Sequence, residues 1–184
     1  MKKITLLLIL TAFLFGCEKD ATLNESNDLD SEQIALKKAE LTLKHKCWLT
    51  AVSDLTIPFT PCVPAEYNVQ VPGGGWMKGH ETHGGKLIME LSTWAITECY
   101  LGPGPTQLTE MVEGTHTVAN GSYYHYSGTL TVDFTNGDLT GEIDLLGGSG
   151  KYEGVTGHLT ISGKQNFETL VATFTGEGFL IFPK

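Results

Sequence analysis

Arginine is absent from this chain. All twelve basic residues are lysine, so no planar guanidinium fork exists for bidentate contacts to phosphate or guanine. The lysines are outnumbered by 21 acids, which gives a formal charge of −9. An acidic chain without arginine is poorly suited to binding nucleic acid. Long apolar runs are also missing. The longest, Ile4 to Phe15 with Thr5 and Thr11 inside it, is too short for a transmembrane helix. Cysteine is scarce, with four in 184 residues, so this is not a disulfide scaffold. Glycine is missing from one stretch, between Cys17 and Pro72, and abundant in another: 21 of the 22 glycines lie from Gly73 to Gly178. The length suits one ordinary domain.

The N-terminus reads as an address. Met1-Lys2-Lys3 is a short basic start, Ile4 to Phe15 an apolar core, and Gly16-Cys17 follows. Those are the three parts of a secretory signal peptide. A small residue just before a cysteine resembles the bacterial lipobox, in which cleavage before the cysteine leaves it acylated. The resemblance implies lipidation at Cys17 and attachment to a membrane through that anchor. The following Glu18-Lys19-Asp20 resembles the surface-export signals of Bacteroidota lipoproteins. It implies the bacterial outer membrane, with a periplasmic or surface-exposed body. Cleavage would remove Lys2 and Lys3 and take the formal charge from −9 to −11.

Residues 18 to 32 hold six acids against one lysine and few apolar side chains. This composition reads as a disordered spacer. Asp30-Ser31-Glu32-Gln33 can cap a short helix through about Leu43, although Leu41-Thr42-Leu43 suits the start of a strand equally well. The expected organisation is a signal peptide over 1–16, a lipidated cysteine and acidic tether over 17–44, and a β-barrel domain over 45–184.

The body alternates in short runs, such as Thr129-Leu130-Thr131-Val132-Asp133-Phe134 and Glu142-Ile143-Asp144-Leu145. Turn signals separate them, notably Asn120-Gly121 and Asn136-Gly137-Asp138. Asn-Gly between alternating runs is a strong hairpin signal. Strands are expected near 45–53, 66–71, 75–83, 86–100, 109–119, 122–135, 138–146, 157–164 and 167–182. Gly176 and Gly178 are expected to bend the last one. The expectation is an all-β fold, a single antiparallel barrel of about eight strands.

Gly147-Gly148-Ser149-Gly150-Lys151-Tyr152-Glu153-Gly154-Val155-Thr156-Gly157 resembles a glycine-rich element of the allene oxide cyclase and dirigent-like barrels. The resemblance covers about residues 75 to 182. It implies an eight-stranded antiparallel barrel in which the aromatic, here Tyr152, tucks into the barrel end. It transfers no catalytic residue to this chain, because fold does not carry activity. Gly79 to Lys86 is similar to a Thr-His-x-Gly-Lys stretch of some bacterial lipoproteins of unassigned function.

Several groups are candidates for chemistry. Cys47, Cys62 and Cys99 allow one bridge and leave one thiol over. Cys62–Cys99 is favoured, and Cys47–Cys62 competes. A reactive thiol would need a base that the sequence does not reveal. His80 and His83 point to opposite faces of a strand, which disfavours a metal, and no metal or other cofactor is implied. Tyr124 and Tyr126 share one face and, with His83, are candidates for lining a ligand mouth. Glu142 and Asp144 share the face opposite Ile143 and Leu145, which places them on a solvated outer wall. No Gly-x-Ser-x-Gly elbow, His-Glu-x-x-His pair or phosphate loop is present. The expected function is a non-enzymatic envelope barrel that binds a small apolar ligand or an envelope partner. The alternative is an isomerase-type enzyme acting on an apolar substrate.

Overall fold

A computed structural model describes residues 40–183. The signal segment, Cys17, the acidic tether and the helical part of the expectation through residue 39 lie outside the described residues. Eleven strands follow: β1 (Leu41–Ser53), β2 (Thr60–Val63), β3 (Gln70–Val71), β4 (Gly74–Glu81), β5 (Gly85–Lys86), β6 (Thr93–Leu101), β7 (Gln107–Thr117), β8 (Tyr123–Asp133), β9 (Asp138–Ser149), β10 (Thr156–Asn166) and β11 (Val171–Phe182). Three short 3-10 turns, Ala65–Tyr67, Met89–Leu91 and Gly150–Tyr152, interrupt them.

Eight strands close on themselves. Neighbours β6, β7, β8, β9, β10, β11, β1 and β4 pair in that order, and β4 returns to β6 through Gly74↔Ala95, Gly75↔Trp94 and Trp76↔Thr93. Every pairing in the ring is antiparallel. The expected all-β fold with about eight strands in a ring is therefore present. Closure removes the unpaired strand edges that an open sheet would offer.

The period-2 alternation sets the wall. On β9, Leu139, Ile143 and Leu145 are buried, while Asp138, Glu142 and Asp144 face out. On β1, Cys47, Leu49 and Ala51 face in, and Trp48 faces out. The turns use the expected chemistry. Gly121 and Gly137 adopt positive φ of 83° and 76°, a region that glycine enters without strain. Asn120 and Asn136 side-chain oxygens accept the amides two residues on, from Ser122 and Asp138. At the β10–β11 turn, the Asn166 side chain accepts from the amides of Glu168 and Thr169.

Three expectations are corrected. The strand expected from residue 45 begins at Leu41, paired with Phe182, so Leu41-Thr42-Leu43 is strand. The single run expected over 86–100 is broken by Met89–Leu91. The strand expected over 66–71 is instead a 3-10 turn followed by the two-residue β3. Each break falls where the run leaves the barrel wall to pass over an end of it. There local alternation no longer meets a partner strand.

The ends differ. His45 within β1 and the ends of β4 and β7 at Glu81 and Thr117 mark the closed end, beneath the Gly150–Tyr152 turn. Tyr152, Val155 and Leu180 have no accessible surface there. Ser53, Gln107, Asp133, Asp138 and Val171 mark the opposite, open end. Beside β6 near the open end, β2 runs parallel, with Cys62 opposite Cys99, and the two form a disulfide. The favoured bridge is the one present, and Cys47 is the free thiol.

Candidate functional site

The barrel interior holds a cavity of about 390 Å³. Its wall is mostly aliphatic, with Leu49, Ile96, Val112, Leu130, Ile143 and Ile161 among the lining. Its upper lining includes Phe59, Phe134 and Phe167, each more than two-fifths exposed. The cavity therefore opens to solvent at the open end. Its floor includes Cys47, His116 and Tyr124.

Beneath that floor is a buried polar cluster. The Tyr124 hydroxyl donates to Glu81 Oε2 at 3.1 Å. His116 Nδ1 lies 2.7 Å from the same hydroxyl and 4.0 Å from Glu81 Oε1. His45 Nε2 lies 3.2 Å from Glu81 Oε2, although its approach is not aligned for a hydrogen bond. The backbone amide of Lys46 donates to Thr82 Oγ1, which also contacts His45 Nδ1 at 3.3 Å. Glu81 has no accessible surface, and His45 and His116 have 2% and 5%.

The Tyr124 hydroxyl stands between two partners, Glu81 Oε2 at 3.1 Å and His116 Nδ1 at 2.7 Å, and the His116 tautomer decides which of them receives its proton. Burial pushes His116 down to about 4, with the Glu81 charge opposing and the His45 charge assisting that shift, so the ring is neutral near pH 7. Among the described residues its Nε2 has no partner, and a buried unpaired polar atom is costly.

Room for the cluster depends on small residues. A Cβ on Gly114 would fall 2.4 Å from the Tyr126 hydroxyl oxygen, and that hydroxyl donates to the Thr93 carbonyl. A Cβ on Gly176 would fall 2.7 Å from Cys47 Sγ. Burial, reinforced by the Glu81 charge, pushes the Cys47 thiol up to about 12, although a backbone contact at Gly176 opposes this. Such a thiol is a poor nucleophile near neutral pH.

Glu110 is a second inward carboxyl. It alternates on β7 with buried Leu108 and Val112 and lines the cavity. It has no hydrogen bond or ion pair among the described residues, and burial pushes it up to about 7. Six residues of strand separate it from His116, about 20 Å along the wall.

Of the sequence-predicted ligand residues, Tyr124 and Tyr126 line the cavity together. His83 does not join them. It lies in the turn beyond β4, with Nε2 2.6 Å from the Lys44 carbonyl and its ring stacked 5.8 Å from His45. His80 is exposed. Glu142 and Asp144 lie on the outer wall, where both contact His158. Among the described residues no group of three or more His, Cys, Asp or Glu could hold a metal ion. Sequence reasoning missed Glu81, His116, Glu110 and His45. The signal was parity: Leu108, Glu110, Val112 and His116 alternate on one face of β7. No family model matches this chain, and no curated protein matches it.

Proposed function

We propose that this protein is a cell-envelope lipoprotein, anchored through acylated Cys17, whose barrel binds one small, mainly apolar molecule. The observation that carries the binding reading is the cavity itself: about 390 Å³, aliphatic along its length and open at one end. That volume lies within the range of small-molecule sites, which combine apolar walls with a few convergent polar groups. The Cys62–Cys99 disulfide supports an oxidising compartment, in line with the signal-peptide pattern. Native mass spectrometry of the protein released from its source envelope tests the binding reading. A co-purifying small molecule is expected. A bare polypeptide that also fails to take up added apolar dye contradicts it. Cys17→Ser should release the chain from membranes, and retention there contradicts the anchor.

A non-enzymatic role fits the floor better than catalysis does. A general base works best with a pKa near the operating pH, and His116 at about 4 is far below it. The isomerase reading rests instead on Glu110, held at about 7 inside an apolar cavity, where a carboxyl can both take and return a proton. It predicts deuterium uptake from D₂O into the bound molecule, lost in Glu110→Gln. Absence of exchange leaves binding as the function.

A further inference from the structure

We infer that the cavity takes an apolar primary amine, whose ammonium group pairs with the Glu110 carboxylate on the inner wall of β7. This rests on the binding reading above and names its ligand class.

Placement comes first. Glu110 alternates on β7 with Leu108 and Val112, and all three line the cavity. Its register neighbours are Cys99 on β6, held in the disulfide, and Leu130 on β8, which also lines the cavity. Among the described residues, the side-chain atoms that are sealed from solvent without a partner belong to His45, Glu81, Trp94, His116 and Tyr152. The Glu110 oxygens are not among them. The residue is half-buried, and burial alone raises its carboxyl, with no hydrogen bond or neighbouring charge contributing. Its oxygens are therefore unpartnered and keep accessible surface, and on an inward position of a closed wall that surface faces the cavity. Gln107 at the open end is three residues away, about 10 Å along the strand. A head group reaches Glu110 without descending to the floor.

Charge decides the class. Among the described residues no lysine lines the cavity, and the chain has no arginine. His116, the one imidazole of the lining, is held neutral near pH 7 by burial. The wall thus presents one carboxyl and no cation to balance it. A carboxylate taken from water without a partner is costly. An ammonium supplies the opposite charge and three N–H donors. A hydroxyl supplies one donor and leaves the charge unbalanced, and a carboxylate adds a second negative charge beside the first. The formal charge of −9 acts in the same direction at longer range, because an acidic protein focuses cations into a cleft with low-dielectric walls.

Glu110 is also the lining group that changes charge near neutral pH. Burial holds it at about 7. The other titratable groups of the lining are displaced from that range, Cys47, Tyr124 and Tyr126 upward and His116 downward. Cys99 and Leu130, which face Glu110 from β6 and β8, do not titrate. Pairing with an ammonium must therefore strengthen as pH rises through 7 and Glu110 loses its proton.

The test uses the full chain and displacement of a neutral, environment-sensitive apolar dye. Octylammonium, octanol and octanoate compete for the dye at pH 7.5. Their apolar bodies match, and their head groups differ in charge. An alkylammonium keeps its charge there, as lysine does with its ordinary value of about 10.4. Octylammonium is expected to bind at least about tenfold more tightly than octanol, the scale of one hydrogen bond to a charged group, and octanoate more weakly than octanol. The octylammonium-to-octanol ratio should fall toward one between pH 7.5 and 5.5. In Glu110→Gln it should be about one at both values. If that variant does not fold, the pH series on the unmodified chain decides alone. Octanol or octanoate binding as tightly as octylammonium at pH 7.5 overturns the inference, as does a ratio that ignores pH or one unchanged in folded Glu110→Gln. Failure of the unmodified chain to take up dye or any probe removes the binding reading itself, and the inference with it.

Discussion

At the closed end of the barrel Tyr152, Val155 and Leu180 have no accessible surface, and around them sit a carboxylate, two histidines and two tyrosines. At the open end Phe59, Phe134 and Phe167 are each more than two-fifths exposed, and the neighbouring polar groups mostly answer to turns. The distribution is the reverse of the usual one, polar inside at one end and apolar outside at the other. Polar groups are tolerated in the interior only where each finds a partner. The closed end engages Glu81 Oε2, the Tyr124 hydroxyl and His45 Nδ1 and, among the described residues, leaves His45 Nε2, Glu81 Oε1, His116 Nε2 and the Tyr152 hydroxyl without a hydrogen-bond partner. Apolar groups at the open end are exposed where a molecule would pass. The contrast makes one end a fixed floor and the other an entrance.

The largest effect should come from breaking the floor. Glu81→Ala removes the acceptor of the Tyr124 hydroxyl and the carboxyl beside His45, and loss of one member of a buried pair costs about 3–5 kcal/mol. Urea unfolding should show that loss. A cost under about 1 kcal/mol would mean that the cluster does not hold the closed end.

Slightly smaller is the bridge that ties β2 to β6. Its partners are separated by 37 residues, and the chain-entropy account gives roughly 3–4 kcal/mol for a loop of that size. Cys62→Ser with Cys99→Ser should lower stability by that amount and leave the closed-end cluster intact, which the pH behaviour below reports.

Glu110 and His116 sharpen the comparison through pH. Folding holds Glu110 at about 7 against an ordinary 4.5. Its contribution is fully present below pH 4.5 and is lost as pH rises to about 7. His116 runs the other way, at about 4 against an ordinary 6.5. Its contribution is present above pH 6.5 and is lost as pH falls toward 4. Each is at most about 3 kcal/mol, less for Glu110, which is only half-buried. The two largely cancel in the unmodified chain. Relative to it, Glu110→Gln should gain a slope, with stability rising from pH 4 to 6.5. His116→Phe should gain the opposite slope, falling from pH 4.5 to 7. Parallel pH profiles for all three proteins would contradict the assigned burial.

The smallest effect on stability belongs to the rim. Phe134→Ser and Phe167→Ser should each change it by no more than about 0.5 kcal/mol, as exposed positions do, while weakening dye uptake. A large loss of stability would place those rings in the core and not at an entrance.

Much of this architecture was legible in the residues. Alternation in Glu142-Ile143-Asp144-Leu145 separated outer from inner wall correctly, and Asn120-Gly121 and Asn136-Gly137 marked real hairpins. Cys62–Cys99 was readable as the favoured bridge, and Tyr124 with Tyr126 as a shared face. What failed was local reading where the chain leaves the wall, at Ala65–Tyr67 and Met89–Leu91. Pairing there is set by distant segments, not by neighbours. The floor was hidden for a related reason. Glu81, His116 and His45 lie far apart along the chain, on β4, β7 and β1, and only ring closure brings them together. His83 drew attention by its spacing to His80, yet it ends in the turn beyond β4, and Glu81 at the end of that strand points inward.

The most direct test of the account is a calorimetric titration of octanol into the unmodified chain and into Ala172→Trp. Ala172 lines the cavity one residue from the open end, and an indole there would narrow the way in. The account predicts one-to-one binding with a negative heat-capacity change, the mark of apolar burial, and its loss in a folded Ala172→Trp. Octanol binding of equal strength in folded Ala172→Trp, or none in the unmodified chain, would contradict it.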